Sequence, residues 1–565
     1  MYREEIEKTY IWSLFEKGKN FHRMRNVFTD TDRNYRMYNG DQWAGAKLGD
    51  VERVQINFIK PIVKYKLSVI HSNLYAINYS SQNFENPDFA RKAEGYCRML
   101  NRYAQKIWEQ DKMDVKGRKV TKDAAINDEG IIFVDFDKKR KMPVNEVVKK
   151  GDIFYGDENS DDIQSQPYIL YGKRMSVLNA REFAEANGVK YEDIRNITGD
   201  NDTYEQSGEA AKEEVDDRVT LVYKFYRKNG TVHMDISTRF VDIVKSMDLG
   251  ITLYPFAHLN WEDKAGSARG EGEVRGLIPN QIEVNKTVMR RLITVRDQAF
   301  PYKVVNTEKI SNPEALKTVG STIKTKGQTV EDVRKVIGTL NPAQISPDAK
   351  GIQEELINVT RELAGAGDVA TGQVNPESAS GKAILAVQQA SQAPMTEQRE
   401  GFKNFLEDVA KIWLEYLIVH SAKGIAMEEE LKDEAGNEFI QVVIVPQSVL
   451  RTLQATVKID ITPKSVFDKF AQEQTLENLF VQGMFNVQRY QELKVYVEAL
   501  DDDSVAPKQK LLKILENMEA EMNKIAQIKA DAQLVQQRFN QFISGSPEQQ
   551  ALQMAEAERQ LEGVA

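Results

Sequence analysis

Two aspartates at the end of a predicted strand are the first residues in this 565-residue sequence that could do chemistry. Asp135 and Asp137 close the β-branched and aromatic run that begins at residue 130. Paired carboxylates can hold Mg²⁺, so one hypothesis is a metal-dependent nuclease that uses these two side chains. A basic tripeptide follows at 138–140, and a solvated turn explains the same residues without a metal.

The other patterns associated with catalysis or phosphate binding are incomplete. None of the three Gly-Lys dipeptides has the earlier glycine and the following Ser or Thr that a P-loop requires. Gly270, Gly272 and Gly276 miss the dinucleotide-binding spacing by one residue, and we interpret this stretch as a flexible lead-in to a helix. The five histidines are dispersed and form no HExxH motif. The sequence therefore predicts a protein that is not an enzyme and holds no cofactor or metal.

The composition indicates an acidic protein of ordinary polarity. The formal net charge of −9 and the pI near 5.5 argue against a dominant basic surface that grips nucleic acid. Cys97 is the one cysteine, which excludes disulfide frameworks and thiolate metal cages. No apolar run approaches the ~20 residues of a membrane helix, and the charged N-terminus is unlike a signal peptide. We expect a soluble protein that is not secreted.

The elements that must position any site predict a helix-rich α+β fold. Helices are expected at 87–110 and, with heptad-like apolar spacing that favours self-association, at 507–542. The acidic stretch 200–217 predicts a solvated loop, with a metal site as the alternative. Strands are expected at 130–136, 219–226, 232–236, 439–445 and 457–461, with Asn229-Gly230 forming a hairpin turn.

A small polar loop at 365–378 precedes an unusually long helical pattern that extends to about Lys423. Such a loop between two firm helices suits contact with a moving or repetitive partner. Pro394 should kink the long helix. The apolar face of the helix comprises Phe402, Phe405, Leu406, Val409, Ile412, Trp413, Tyr416 and Leu417.

Two predicted helices, 279–297 and 348–364, bracket a small mixed module at 298–347. The first helix is partly basic, through Lys286, Arg290, Arg291 and Arg296, and places Ile282, Met289, Leu292 and Ile293 on one side. The second helix places Ile352, Leu356, Val359 and Leu363 on one stripe. The module has a mild positive patch, which fits an acidic partner and fits a mixed exposed surface equally well. Its basic residues are Lys303, Lys309, Lys317, Lys324, Lys326, Arg334 and Lys335.

Taken in order, these elements resemble the portal proteins of tailed bacteriophages. The resemblance covers nearly the whole chain and rests on the order of several short motifs. These are YNGDQW at 38–43, NFIKP at 57–61, YPF at 254–256, GLIPNQIEVN at 276–285, SASGKAIL at 378–385, the strand at 457–463 and QG at 482–483.

The resemblance implies a subunit divided into wing, stem, clip and crown. It assigns the wing to 1–278 and 379–505, the stem helices to 279–297 and 348–364, the clip to 298–347, the tunnel loop to 365–378, and the crown and tail to 506–565. The clip surface for terminase and adaptor would be the basic residues named above for the module. The tunnel-loop residues implied to face DNA are Asp368, Thr371, Gly372, Gln373 and Asn375.

The function implied by the resemblance is a non-enzymatic dodecameric ring at one capsid vertex, through which double-stranded DNA is packaged and ejected. Implied partners are the major capsid protein and scaffold, the terminase large subunit, the head–tail adaptor and weakly held DNA, with no membrane. The protein would belong to the virion, and to the host cytoplasm during assembly. Small polar loop residues suit this role, because each phosphate contact must break as the duplex advances. The alternatives are the nuclease and a helical scaffold or adaptor that forms no rings.

Overall fold

The computed structural model describes residues 7–46, 53–81, 87–200, 217–300, 303–318, 320–326, 337–340, 346, 348–367, 393–422, 424–432, 438–453, 455–463, 476, 478–482, 490–499 and 508–544. The fold is mixed α+β and helix-rich, as expected, with several small sheets. Residues 1–462 form one compact unit and residues 463–565 form a second.

Helices make up the larger part of the described chain, and those predicted at 87–110 and 507–542 are confirmed as α4 and α13. The helices are α1 (Tyr10–Met24), α2 (Val27–Asn39), α3 (Ile59–Ile70), α4 (Pro87–Gln110), α5 (Met113–Asn127), α6 (Val177–Ala186), α7 (Tyr191–Ile194), α8 (Glu273–Ala299), α9 (Asp348–Leu363), α10 (Thr396–His420), α11 (Gln447–Leu453), α12 (Tyr490–Ala499) and α13 (Lys508–Ser544).

The strands pair mostly with sequence neighbours, and all five predicted strands are confirmed. They are β1 (Asn73–Ser80), β2 (Glu129–Asp137), β3 (Met142–Val148), β4 (Ile153–Tyr155), β5 (Tyr168–Ser176), β6 (Arg218–Lys228), β7 (Thr231–Ser237), β8 (Asp242–Asp248), β9 (Phe256–Asn260), β10 (Lys303–Val305), β11 (Ile337–Thr339), β12 (Ile425–Lys432), β13 (Glu438–Val445) and β14 (Thr456–Pro463).

Two antiparallel sheets form the framework of the first unit. One has the order β4-β5-β6-β7-β8, and its β6–β7 turn at Asn229 and Gly230 has φ angles of 54° and 88°, which match the predicted hairpin. The other has the order β3-β2-β9, so β2 is central and pairs with strands on both sides. Three further pairs, β1 with β14, β10 with β11 and β12 with β13, are two-stranded.

Helix α10 packs its apolar face into the core beside the β3-β2-β9 sheet. All eight residues predicted for that face are buried, which confirms the helical periodicity. Trp413 is fully buried, and its indole N–H donates a 2.9 Å hydrogen bond to the side-chain oxygen of Asn145 on β3. The polar tip of the largest core side chain is therefore satisfied within the core.

Pro394 is not inside the helix that it was expected to kink. It lies in a 3₁₀ turn, Ala393–Met395, and α10 begins directly after that turn at Thr396. A residue without an N–H fits ahead of a helix better than within it. The predicted helical stretch 379–392 lies outside the described residues.

The expected start of α8 is corrected. Helix α8 begins at Glu273 rather than at Pro279, which lies inside the helix and leaves one backbone hydrogen bond of the helix unmade. In the described part of the module, Ile310 and Thr325 form an isolated antiparallel bridge.

The first residue of the acidic stretch 200–217 is buried rather than solvated. Asp200 accepts hydrogen bonds from the guanidinium of Arg174 at 3.0 Å and from the backbone N–H and hydroxyl of Thr220 at 2.7 and 2.9 Å. The carboxylate therefore links β5 to β6. Residues 201–216 of the stretch lie outside the described residues.

Replacing Gly130 with alanine should destabilise the fold, because helix α5 lies directly on this part of β2. A Cβ atom at Gly130 would collide with the backbone carbonyl of Val120. We expect Gly130→Ala to lower the free energy of unfolding by about 1–3 kcal/mol, as overpacking does. Chemical denaturation of the purified protein measures this.

Gly95 in α4 supplies the matched control, because a Cβ atom there would meet nothing within 4 Å. Gly95→Ala should leave stability unchanged or raise it by about 0.4–1 kcal/mol. Equal effects of the two substitutions would show that α5 does not approach β2 as closely as described.

Candidate functional site

Three of the motif segments that carried the resemblance meet at the first half of α8. Gln281 donates a 2.6 Å hydrogen bond to the carbonyl of Ile56 and accepts one of 3.0 Å from the N–H of Phe58. Asn285 accepts a 3.1 Å bond from the N–H of Ile56 and donates one of 2.5 Å to Gln42. The helix therefore holds the backbone ahead of α3 through two buried amide side chains.

The buried face of α8 differs from the predicted one. On the side expected to be apolar, Ile282, Met289 and Ile293 are half-buried and Leu292 is 43% exposed. The buried residues are instead Val274, Leu277, Ile278, Gln281, Val284 and Asn285. The apolar pattern did not predict this face because two of its buried residues, Gln281 and Asn285, are polar. Their amide groups can be buried because hydrogen bonds satisfy them.

Helices α8 and α9 form an antiparallel pair that is joined by polar contacts. Asn280 donates a 2.9 Å hydrogen bond to the hydroxyl of Thr360, and Arg291 donates one of 2.8 Å to Gln353. Thr360 and Gln353 are buried, at 3% and 9% exposed. The later residue of α8, Arg291, bonds to the earlier residue of α9, Gln353. The two helices are therefore antiparallel.

The apolar stripe predicted for α9 is mostly exposed and lies to one side of the contacts with α8. Ile352, Val359 and Leu363 are 53%, 43% and 82% exposed, whereas Leu356 is half-buried. On α8, Leu292 and Val295 are also exposed. The pair thus buries polar side chains between its helices and exposes apolar ones, the reverse of an ordinary helix on a protein surface.

The predicted basic stem residues lie at different places on α8. Arg291 is the one that joins α9. Lys286 pairs with Glu283 at 2.7 Å and Arg296 with Asp297 at 3.3 Å. Arg290 is exposed and forms no ion pair with any described residue. The structure therefore does not gather these four cations into one site.

The module between the two helices is small and exposes its lysines. Strands β10 and β11 pair antiparallel, Ile310 is 2% exposed, and the N–H of Lys326 donates a 2.9 Å bond to the carbonyl of Lys309. Lys303, Lys309, Lys317, Lys324 and Lys326 are all exposed, and Lys317 pairs with Glu314 at 2.7 Å. Arg334 and Lys335 lie outside the described residues.

The predicted tunnel loop is described only where α9 ends. Gly365 has a φ of 68°, and the N–H of Ala366 donates a 2.8 Å bond to the carbonyl of Arg361. This is a helix C-terminus closed by a glycine in the left-handed conformation. The other predicted loop residues, Asp368, Thr371, Gly372, Gln373 and Asn375, lie outside the described residues.

A buried charge network that the sequence did not reveal lies where the chain enters α8. Arg269 donates hydrogen bonds to Glu158 at 2.9 and 3.1 Å, to Glu129 and to the carbonyl of Ile153 at 3.2 Å. Its guanidinium also contacts the Nε2 atom of His22 at 2.9 Å. Arg269 thus ties the segment before α8 to α1, β2 and β4.

The second carboxylate of the network is saturated as well. Glu129 is 1% exposed and its other oxygen contacts the Nε2 atom of His258 at 2.9 Å and the hydroxyl of Tyr155 at 3.3 Å. Burial raises the pKa of Glu129 and of Glu158, but the Arg269 charge together with the histidine contacts outweighs it and holds both pKa values at about 2. These pKa values lie below the usual 4.5, so the stabilisation is present above that pH and is lost as the pH falls toward 2.

The glycines before α8 are tightly packed, which corrects the expectation of a flexible lead-in. A Cβ atom at Gly270 would collide with the carbonyl of Glu262, and one at Gly272 would lie 2.9 Å from the backbone carbon of Asn127. Close backbone approach, rather than phosphate binding or flexibility, accounts for these glycines.

Of the two aspartates in the nuclease hypothesis, Asp137 stabilises the β2–β3 turn and Asp135 lies within β2. Asp137 accepts hydrogen bonds from the N–H groups of Lys139 at 2.8 Å and Arg140 at 3.2 Å, and these bonds lower its pKa. Asp135 accepts a 2.8 Å bond from the N–H of Phe136. Within the described ranges, no group of three or more His, Cys, Asp or Glu side chains could hold a metal ion.

Across the portion of the chain with described coordinates, no helix is both long and apolar enough to cross a bilayer. No protein-family model matches the chain, and no curated protein matches it.

Removing Arg269 should be strongly destabilising, because it leaves the buried Glu129 and Glu158 without their cation. We expect Arg269→Ala to lower the free energy of unfolding by about 3–5 kcal/mol. Arg140→Ala, at a side chain that is 69% exposed and 3.7 Å from Asp137, should cost less than about 1 kcal/mol. Thermal and chemical denaturation of both variants compare the two sites, and similar losses would contradict a structural role for the network.

Proposed function

We propose that this protein is a ring-forming channel subunit of the portal type, with α8 and α9 as the stem pair. The observation that carries the proposal is the exposed apolar stripe Ile352, Val359 and Leu363 on α9. Neighbouring copies would cover this stripe and the exposed Leu292 and Val295 of α8. The two apolar faces belong to different helices, which suits head-to-tail contact between copies and hence a closed ring.

The magnitudes favour assembly over an isolated chain. Fully burying one Leu or Ile side chain is worth about 1.5–3 kcal/mol, so covering these partly exposed side chains stabilises each interface of the ring. The polar contacts between α8 and α9 add little to this. They set the register of the pair and leave the apolar side chains for the neighbour.

The remaining parts of the proposal follow the resemblance. The module 298–347 with its exposed lysines would be the clip that docks the terminase large subunit and the head–tail adaptor. The loop 365–378 would face double-stranded DNA, which the ring would package and eject at one capsid vertex beside the major capsid protein and scaffold. The acidic net charge of −9 supports weak contact with the passing duplex.

The first test is assembly. Negative-stain microscopy and mass photometry of the purified protein should show large rings with a central opening. Ile352→Asp combined with Leu363→Asp should reduce the ring population by about tenfold or more, because each interface would then bury uncompensated carboxylates. Both side chains are exposed in the subunit, so its own stability should change by less than about 0.5 kcal/mol.

Leu178→Asp combined with Tyr191→Asp is the matched control, since these side chains are 67% and 69% exposed on α6 and α7. That variant should form rings normally. A wild-type protein that stays a single copy under all conditions would end the proposal, and equal loss of rings in both variants would remove the role of the α9 stripe.

The second test concerns the predicted loop. Gln373→Lys should slow or stall DNA packaging while rings still assemble, because added cations around the channel would hold phosphates that must be released. Gln110→Lys, at an exposed position that ends α4, should package at the wild-type rate. An in vitro packaging assay with loaded proheads measures both rates. Normal packaging by the Gln373→Lys rings would show that the loop does not face DNA.

A further inference from the structure

The outer faces of the stem pair carry opposite charges. At 3.6 residues per turn, the positions of α8 that bond to α9, Asn280 and Arg291, mark its inner side. Arg275 and Lys286 then lie on the outer side of α8, away from α9, and Lys286 also pairs with Glu283 of the same helix at 2.7 Å. Arg275 is exposed and forms no ion pair with any described residue.

The outer side of α9 is acidic by the same reasoning. Gln353 and Thr360 mark its inner side, and Glu355 and Glu362 lie opposite them. Both glutamates are exposed, and neither forms an ion pair within the described part of the chain. The stem pair therefore has one basic and one acidic outer face.

The basic side continues beyond the helix into a cavity of about 340 Å³. Three basic residues that line this cavity, Arg25, Lys264 and Arg275, form no ion pair with any described residue. Among the acidic residues that line it, only Asp30 is without an ion pair to a described residue. Asn127 also lines the cavity, is 6% exposed, and has a side-chain oxygen that accepts no hydrogen bond. The cavity therefore offers cations without ion-pair partners among the described residues and an amide oxygen without a hydrogen bond, which polar groups of another molecule could bind.

The charges are also matched in height along the stem. Because α8 and α9 run antiparallel, Arg275 at the start of α8 lies at the same end as Glu362 near the end of α9. Two hydrogen bonds join the helices, Asn280 to Thr360 and Arg291 to Gln353. Lys286 on α8 and Glu355 on α9 both lie between these two bonds. In a ring whose symmetry axis is parallel to the stem, the rotation that relates neighbouring copies leaves the position of each residue along that axis unchanged.

We propose that the basic outer face of α8 in one copy docks against the acidic outer face of α9 in the next copy, with Arg275 opposite Glu362 and Lys286 opposite Glu355. This inference rests on the proposed ring and names the contact that sets its direction. A head-to-tail interface brings two different surfaces together, and opposite charges favour this pairing over the two like-charged alternatives.

Charge reversal on each face tests the pairing. One variant carries Arg275→Glu and Lys286→Glu, and the other carries Glu355→Lys and Glu362→Lys. Each alone should reduce the ring population by about tenfold or more at about 0.15 M salt, because like charges then meet at every interface. An equimolar mixture should restore rings to near the wild-type level, since each reversed face now meets a complementary one.

Arg140→Glu with Lys245→Glu is the control, because these side chains are 69% and 77% exposed, on the β2–β3 turn and on strand β8 respectively, outside α8 and α9. It should assemble normally. Circular dichroism should show each variant folded, as expected for exposed positions.

The outcomes separate this inference from the proposed function. Normal rings from either reversed variant, or no recovery in the mixture, would overturn the pairing while leaving a wild-type ring intact. A wild-type protein that forms no rings would instead overturn the proposed function.

Discussion

The burial of Arg269 is the constraint on which the start of α8 depends. A guanidinium taken out of water must be paired and hydrogen-bonded, and its partners come from distant parts of the chain, Glu129 on β2 and Glu158 before β5. The segment that carries Arg269 can therefore occupy one position, and α8 begins a few residues later at Glu273. Gly270 and Gly272 permit the close backbone approach that this position requires. The start of α8 is thus fixed in position by charge and by packing together.

Farther along α8, the contacts with α9 and with the segment before α3 are made by polar side chains, whereas apolar side chains of α8 and α9 are exposed. Gln281 and Asn285 hold the segment ahead of α3, and Gln353 and Thr360 join α9 to α8. Hydrogen bonds are directional, so these contacts specify the register of the elements. The apolar side chains of α9 contribute little to the subunit, and in the proposed ring they and the charged outer faces would specify the neighbour.

Sequence periodicity predicted the elements well where burial follows residue type. The eight-residue apolar face of α10, the Asn229-Gly230 hairpin and helix α4 all appear as expected, because each depends on local pattern or turn chemistry. The start of α8 and the position of Pro394 were wrong. Sequence rules for proline predict a first helical turn or a kink. Here α8 extends before Pro279 because neighbouring residues pack against it, and Pro394 lies in a 3₁₀ turn that ends one residue later.

The sequence by itself determined the α+β class, the bracketing of a small module by two helices, and the apolar stripe on α9. It could not determine which way that stripe faces, because amphipathicity identifies a face and not the molecule that covers it. The tertiary structure decided that polar Gln353 and Thr360 turn inward and that Arg269, Glu129 and Glu158 meet. Those contacts join residues far apart in the chain, and buried polar partners leave no periodic signal in a single sequence.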